Sequence, residues 1–516
     1  MPLPENNTAW PPLDIAPYLR DLGIDDAWYS GDKTKLRSVY ALQGYDNGTG
    51  DLRDERGRGW RFWERPRPIG RRDNRLHVPL AADIASTSAD LLFSEPPTFT
   101  VDTPATQDRL DEILEEGGVA NTLLEAAEVG AALGGVYLRV TWNKDLAERP
   151  LLTAVHADCA VPEWTFGILT AVTFWREVKR EGNTVWRHLE RHESGKVLHG
   201  LYEGTSESLG TKQPLTENDA TADLVDSLGP EGDQISTGIK QLTAVYIPNI
   251  RPNRKYRGSM WGRSDWQDDG IRDLFMSLDE TYTSWMRDIR LAKARLVAPS
   301  GFLTSEGPGK GASFDDDKEL WTEINASPTS GEGLTLVQFD IRVTEHEQSW
   351  KAFSRKAVES AGYAAQTFGL GDTTAITATE VVSQERGSMI TRDRKARYWA
   401  PELAQIVEVL LLLDKQLGFS TVTAERPKIE FGDSVSEDPK TTAETVELLA
   451  RATAVSTETK VRILNPDWDD TQVKEEADRI LKETGALVAD PAMTGAEGGG
   501  HARFPSAGGG SGGERP

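Results

Sequence analysis

The sequence predicts an α+β chain, and three features predict it. An alternating apolar–polar pattern runs from Val136 to about Gly204. A heptad-like apolar stripe runs through Ile271, Phe275, Leu278, Tyr282, Trp285, Ile289, Ala292 and Leu296. A third segment, from Thr377 to about Leu417, keeps a helical pattern around an internal Pro401. Alternation is the signature of half-buried strands, and spacings of three and four are that of a helix face.

The elements follow in order. The first fifty residues mix short helical stretches with turns. A basic, aromatic segment comes next, with Arg56, Arg58, Trp60, Arg61, Trp63, Arg65, Arg67, Arg71 and Arg72. Its glycines, Gly57 and Gly59, predict flexibility at that end. It reads either as a nucleic-acid or partner patch or as a solvated arm laid on another subunit. Pro79 then opens an amphipathic helix carrying Leu80, Ile84, Leu91 and Leu92, which Glu95-Pro96-Pro97 stops. Residues 110–133 read as helix, broken at Gly117-Gly118 and ended by Gly134-Gly135.

From Val136, the segments VYLRVTW, LLTAVH, LTAVTFWREV, TVWRHLERH and KVLHGLYEG predict successive antiparallel strands. Residues 203–238 are polar and turn-rich and read as a loop, after which LTAVYIPN returns as a strand. Ser264 or Asp265 can cap the next helix, which carries the heptad-like stripe over 264–298. Pro299 ends it. Residues 299–343 form a small insert, followed by a second helix over 344–368. Gly369-Leu370-Gly371-Asp372-Thr373-Thr374 breaks the chain. Thr377 with Glu380 forms a capping box for the long helix, and Pro401 predicts a kink in it. A strand at KIEF and helices over 441–454 and 470–484 follow. From about 488 the Gly- and Ser-rich tail has too few apolar groups to offset the entropy of ordering.

Composition bounds the function. The chain has 516 residues, long enough for two to four compact regions. A mean hydropathy of -0.48 and the lack of an apolar run near 20 residues predict a soluble chain. The opening MPLPENNTAW has neither a basic nor an apolar signal region. The single Cys159 excludes an internal disulfide and suits a reducing compartment; it reads as a buried filler, with a catalytic thiol as the sharper alternative. A net charge of -24 argues against tight binding of duplex DNA, since counterion release needs Lys and Arg. It leaves open a surface past which DNA slides.

Candidate chemistry is sparse. Gly307 to Gly311 resembles a phosphate loop, but Lys310 is followed by Gly311 rather than Ser or Thr. His188 and His192 would share a face on a helix. Their alternating context predicts a strand, in which residues four apart stand about 13 Å apart, so no metal is expected there. The Asp315, Asp316 and Asp317 triplet lacks the spacing of a calcium loop and reads as solvated charge. No nucleophile motif is present. The sequence thus predicts no enzyme, no cofactor and no metal site.

Three stretches carry a family likeness: HVPLAADIASTSADLLFSEPPTF, GRSDWQDDGIRDLFMSLDETYTSWMRDIRLAKAR and FSRKAVESAGYAAQTFGLGDTTAITATEVVSQERGSMITRDRKARYWAPEL. Through them the chain resembles the portal proteins of long-tailed phages, especially those of actinobacteria, from about residue 75 to 484. The resemblance implies a portal fold. An α/β wing would span 1–263, a descending stem helix 264–298, a small α/β clip 299–343 and an ascending stem helix 344–368. A tunnel loop would follow at 369–376, a kinked tunnel helix with a wing return strand at 377–434, helical crown segments at 435–487 and a disordered tail at 488–516. It also implies a homo-oligomeric ring of about twelve copies at one capsid vertex, assembled in the host cytoplasm and retained in the virion. Such a ring is the conduit for DNA packaging and ejection. Its implied partners are weakly and non-specifically held double-stranded DNA, the terminase large subunit, a head-completion adaptor, scaffold and the major capsid protein, with no membrane. Gly369, Gly371, Asp372, Thr373, Thr374, Ala375 and Ile376 would face DNA. Ile271, Phe275, Leu278, Tyr282, Trp285 and Ile289 form a seam with no evident partner in the chain, suited to a neighbour in the ring. Arg392, Arg394, Lys395 and Arg397 form a basic belt that faces DNA or pairs with acidic residues of the neighbour. Another head or connector protein of the virion, and a carboxylate-dependent hydrolase or nuclease, remain as alternatives.

Overall fold

The computed structural model describes residues 3–42, 75–225, 228, 232–292, 295–297, 304–305, 312–313, 335–337, 341–371, 378–432, 439–452, 454–465, 468 and 470–483. The chain divides into two units, 1–434 and 435–516.

In the first unit, helices α1 (Ala16–Ser30) and α2 (Lys33–Leu42) precede α3 (Leu80–Phe93). Strand β1 (Thr98–Thr100) and helices α4 (Pro104–Glu116) and α5 (Val119–Leu133) follow. The α4–α5 break falls at Gly117-Gly118, where Gly118 takes φ +59. Gly134 ends α5 at φ +77, and a Cβ there would meet the Arg263 and Ser264 backbone at 3.0 Å. Only glycine allows both the turn and that approach.

Strands β2 (Gly135–Thr141) and β3 (Leu151–His156) are the start of the predicted β region. Next come β4 (Ala160–Thr165), β5 (Ile168–Glu181), β6 (Thr184–Glu193) and β7 (Lys196–Gly204). Residues 203–238, expected as a loop, instead carry β8 (Thr211–Gln213), the short helix α6 (Asp219–Ala222) and β9 (Gln234–Ser236). Both strands pair with β7; they were too short and too polar to show a period. With β10 (Ala244–Pro248) the strands form two sheets: β10-β2-β3, and β4-β5-β6-β7-β8 with β9 on β7. Strand β6 is covered on both faces, so even Arg187 and Arg191 are buried. Each is hydrogen-bonded, Arg191 to Glu163 at 2.6 and 3.0 Å and Arg187 to the Thr205 carbonyl at 2.7 Å, which offsets their desolvation.

Helix α7 spans Asp269–Leu291, shorter at both ends than the expected 264–298. Ser264 and Asp265 do not cap it; they are buried and bound to other groups, and Asp268 precedes the first turn. Residues 295–297, expected as its last turn, are instead strand β11 (Arg295–Val297), after which come β12 (Thr304–Ser305), β13 (Ala312–Ser313) and β14 (Thr335–Val337). β11 pairs with β14 and β12 with β13, all antiparallel. Helix α8 (Val343–Ala361) also ends earlier than expected. Gly362 stops it at φ +100, Tyr363 turns into the core, and a single 3-10 turn covers Ala365–Phe368. Helix α9 (Ala378–Gln416) stays helical through Pro401, and β15 (Lys428–Glu430) pairs with β1.

Two apolar clusters hold this unit. One joins α1, α3, the first half of α7 and the last turns of α8 through Trp28, Ile84, Phe275, Leu278 and Val358. The other joins α3, α5, β2 and β10 to α9 through Leu92, Leu123, Leu138, Ile247, Leu403 and Leu410. Helix α3 contributes to both, which is why it is apolar on most of its surface.

The second unit holds α10 (Pro439–Arg451), α11 (Thr457–Leu464) and α12 (Asp470–Glu483). Its core is small, built from Val461, Val473, Ala477 and Ile480. The hydroxyl of Ser456 caps α11 by accepting from the Thr459 N–H at 3.2 Å. The 43–74, 372–377 and 484–516 segments lie outside the described residues, and so do the basic aromatic segment, the capping Thr377, the Gly307–Gly311 turn, the acidic triplet and the tail. No described helix is long and apolar enough to cross a membrane.

Candidate functional site

Helices α7 and α8 lie antiparallel. Tyr282 meets Trp350 edge to face with ring centroids 6.1 Å apart, and one turn further Trp285 stacks on His346 at 5.9 Å. Beyond them Asp288 accepts from Arg342 at 2.9 Å and lies 3.0 Å from His346 Nε2. Hydrogen bonds with His346 first and then Arg342 hold the Asp288 carboxyl below the usual range. Contacts therefore advance along α7 as they retreat along α8.

The seam on α7 is split. Ile271, Phe275 and Leu278 are buried inside the subunit, against α1, α3 and α8. The expectation that this stripe waits for a ring neighbour is corrected for these three: residues far away in sequence supply the partner. Tyr282 and Trp285 are half-buried, and Ile289 is 41% exposed.

Buried charge roots the base of α7. Arg272 donates to Asp25 Oδ1 through two nitrogens at 2.6 and 3.1 Å, and the Ser264 hydroxyl donates to Asp25 Oδ2 at 2.8 Å. Burial raises the Asp25 carboxyl, and Arg272 works against that rise. Two turns on, Asp279 accepts from the Val78 N–H at 2.7 Å and the Tyr40 hydroxyl, with His77 Nδ1 at 3.0 Å.

The basic belt is also split. Lys395 is buried and donates to Ser88 Oγ at 2.6 Å, Asp265 Oδ2 at 2.8 Å and the Tyr363 hydroxyl at 2.9 Å. Burial lowers its ammonium, and Asp265 counters that. Arg392 is buried too, donating to the carbonyls of Leu91 at 3.0 Å and of Gly432. These two residues are satisfied within one subunit, which corrects their assignment to DNA or to a neighbour. Arg394 and Arg397 remain exposed.

Of the loop residues, Gly369, Leu370 and Gly371 are described; Asp372, Thr373, Thr374, Ala375 and Ile376 lie outside the described residues. Gly369 is exposed at φ +68. The segment leading to it is pinned to α9: Ser388 Oγ accepts from the Ala364 N–H at 2.9 Å and lies 2.8 Å from Thr367 Oγ1. Arg355 of α8 donates to the Leu370 carbonyl at 3.0 Å. Residues 364–370 are thus tied to both α8 and α9.

His188 and His192 lie on β6, as the alternation predicted, and no group of three or more His, Cys, Asp or Glu able to hold a metal occurs among the described residues. Burial pushes the Cys159 thiol up to about 12, so it stays protonated near neutrality. Asp265, expected as a helix cap, instead holds Lys395 together with Tyr363, which the sequence did not single out. The two lie 130 and 32 residues from Lys395, and no local spacing links them.

A family model described as "Phage portal protein, SPP1 Gp6-like" matches residues 67–487. Among solved structures, the neck of a native GTA particle computed with C12 symmetry is similar at 12% identity, covering 75% of this chain and 90% of that one, with a TM-score of 0.39. The neck of an empty GTA particle computed with C6 symmetry is similar at 12% identity, covering 77% and 95%, with a TM-score of 0.42. No curated protein matches.

Proposed function

The chain belongs to the SPP1 Gp6-like phage portal protein family, and on that premise we propose that it assembles into a ring at one capsid vertex through which DNA enters and leaves. In this reading 1–263 is the wing, α7 and α8 are the stem, 299–343 is the clip, 369–376 is the tunnel loop, α9 is the tunnel helix and α10–α12 belong to the crown. The clip docks the terminase large subunit during packaging and a head-completion adaptor afterwards. Scaffold and the major capsid protein are the remaining partners, and assembly takes place in the host cytoplasm.

The family match over 67–487 carries this reading. The antiparallel pairing of α7 with α8, and the hydrogen bond from the Ala364 N–H to Ser388 of α9 just ahead of Gly369, support it. Charge supports the conduit role: 82 acidic against 58 basic residues leave little to grip phosphate, and two of the four belt cations are already used inside the subunit. A structural subunit rather than an enzyme fits both the family and the chemistry.

Mass photometry and cryo-electron microscopy of the purified chain test the proposal. Closed rings of about twelve copies with an axial channel are expected. A stable monomer that cleaves DNA in the presence of magnesium would overturn it in favour of the hydrolase reading.

A further inference from the structure

The β4–β5 hairpin turns on two residues, Phe166 at φ +52 and Gly167 at φ +82. Positive φ at both central positions is the tight hairpin turn that favours Asn-Gly. A phenylalanine in the first position is strained, and its side chain is 102% exposed. Ile168, beside it, is 69% exposed. A turn that gives up local stability to present an aromatic ring to solvent calls for a reason outside the hairpin.

Its surroundings supply one. Gly167 lies against Met260, with space for a Cβ 3.4 Å from the sulfur. Arg251 reaches Met260 Sδ at 3.2 Å, and the Arg251 carbonyl accepts from Arg394 at 2.6 Å and from the Tyr398 hydroxyl at 3.3 Å. The hairpin tip, the 251–260 turn and the exposed side of α9 are therefore one continuous surface. Arg257 and Arg397 are exposed on the same turn and the same helix. Burial lowers the Arg263 guanidinium, and Arg254 and Arg394 add to that while Asp268 and Asp265 oppose it, so the exposed positive charge of this corner is that of Arg257, Arg394 and Arg397. An apolar, aromatic centre with an arginine rim is the anatomy of a protein interface.

We propose that this surface docks onto an acidic face of a second copy of the chain. The inference rests on the ring reading and gives it a contact. A ring joins two different faces of each subunit. With a net charge of -24 per copy, most pairs of faces repel. Among the described residues, an arginine-rimmed patch with an apolar centre is a surface that another copy can meet without that repulsion.

The test compares the wild-type chain, Phe166→Asn, and Phe166→Asn combined with Arg257→Glu and Arg397→Glu. Asparagine suits φ +52, so the first variant is expected to melt at or above the wild-type temperature. Its monomer-to-ring midpoint, read by mass photometry, is expected to move to about tenfold higher concentration, with a further shift of about tenfold in the combined variant. A photo-crosslinking phenylalanine analogue at position 166 should couple to a peptide of a second copy rich in Asp and Glu. Rings that form equally well in all three proteins overturn this inference alone. So do variants that form normal rings but lose duplex DNA retention, since the patch would then face DNA. A wild-type chain that stays monomeric overturns the ring reading, and this inference with it.

Discussion

The ammonium of Lys395 stands 2.8 Å from Asp265 Oδ2, both fully buried, and so ties α9 to the segment just ahead of α7. Tyr363 and Asn249 donate to the same carboxylate, at 2.7 and 2.8 Å. Lys395→Met would leave that carboxylate buried without a counter-charge, at a cost of about 3 to 5 kcal/mol. Urea unfolding measures it. Removing the carboxylate as well, in Lys395→Met with Asp265→Leu, should recover part of the loss. A single variant as stable as wild type would show that water reaches the pair.

His188 and His199 stack 5.3 Å apart between β6 and β7, with facing nitrogens 3.2 Å apart. Burial first, then the mutual charge, lowers His188 to about 3, with Glu190 opposing; burial lowers His199 as well. Arg139, Arg176 and His192 also surround the pair. The folded state keeps both rings neutral, whereas the unfolded chain takes up protons near pH 6.5. Stability is therefore full above about 6.5 and declines as pH falls toward 3. His188→Phe should flatten the fall in melting temperature over that window. An unchanged pH slope would exclude the pair as its source.

Glu402 follows Pro401 in α9, where burial raises its carboxyl to about 7 against a partial opposing effect of Arg426. Here the folded state binds the extra proton. Stability is greatest below about pH 4.5 and is lost as pH rises through about 7. Glu402→Gln should therefore stabilise the protein at pH 8, by on the order of 1 to 3 kcal/mol, and change little at pH 4. Equal effects at both pH values would mean that the carboxyl titrates normally.

What the sequence revealed was local. Pro79, Gly117-Gly118 and the alternation through β5, β6 and β7 mark their elements because caps, breaks and period act within a few residues. The stripe on α7 misled twice for a single reason: a period shows which face is apolar but not what covers it. Ala292 and Leu296 continued the pattern, yet Leu296 pairs with Leu336 in a strand. Ile271, Phe275 and Leu278 looked partnerless because Trp28 and Val358, their cover, come from α1 and α8. The arginines and lysine of the belt shared a helix but not a face, and only the packing of α3 against α9 showed which were inward.

The same split of the α7 stripe yields a test that separates folding from assembly. Phe275 is 3% exposed and packs against Trp28 and Trp266, with ring centroids 5.5 and 6.3 Å away. Phe275→Ala would open a cavity at the meeting of α1 and α7 and cost about 3 to 5 kcal/mol. Ile289, 41% exposed near the other end, is far less enclosed by the subunit than Phe275. Ile289→Ala should change unfolding by less than about 1 kcal/mol. If α7 lines a contact between copies, this second variant should still weaken ring formation, by about fivefold. Urea unfolding of the monomer and mass photometry of assembly then report on different residues of one helix. Should Ile289→Ala leave both measurements unchanged, the outer half of α7 faces solvent in the ring and the contact between copies lies elsewhere.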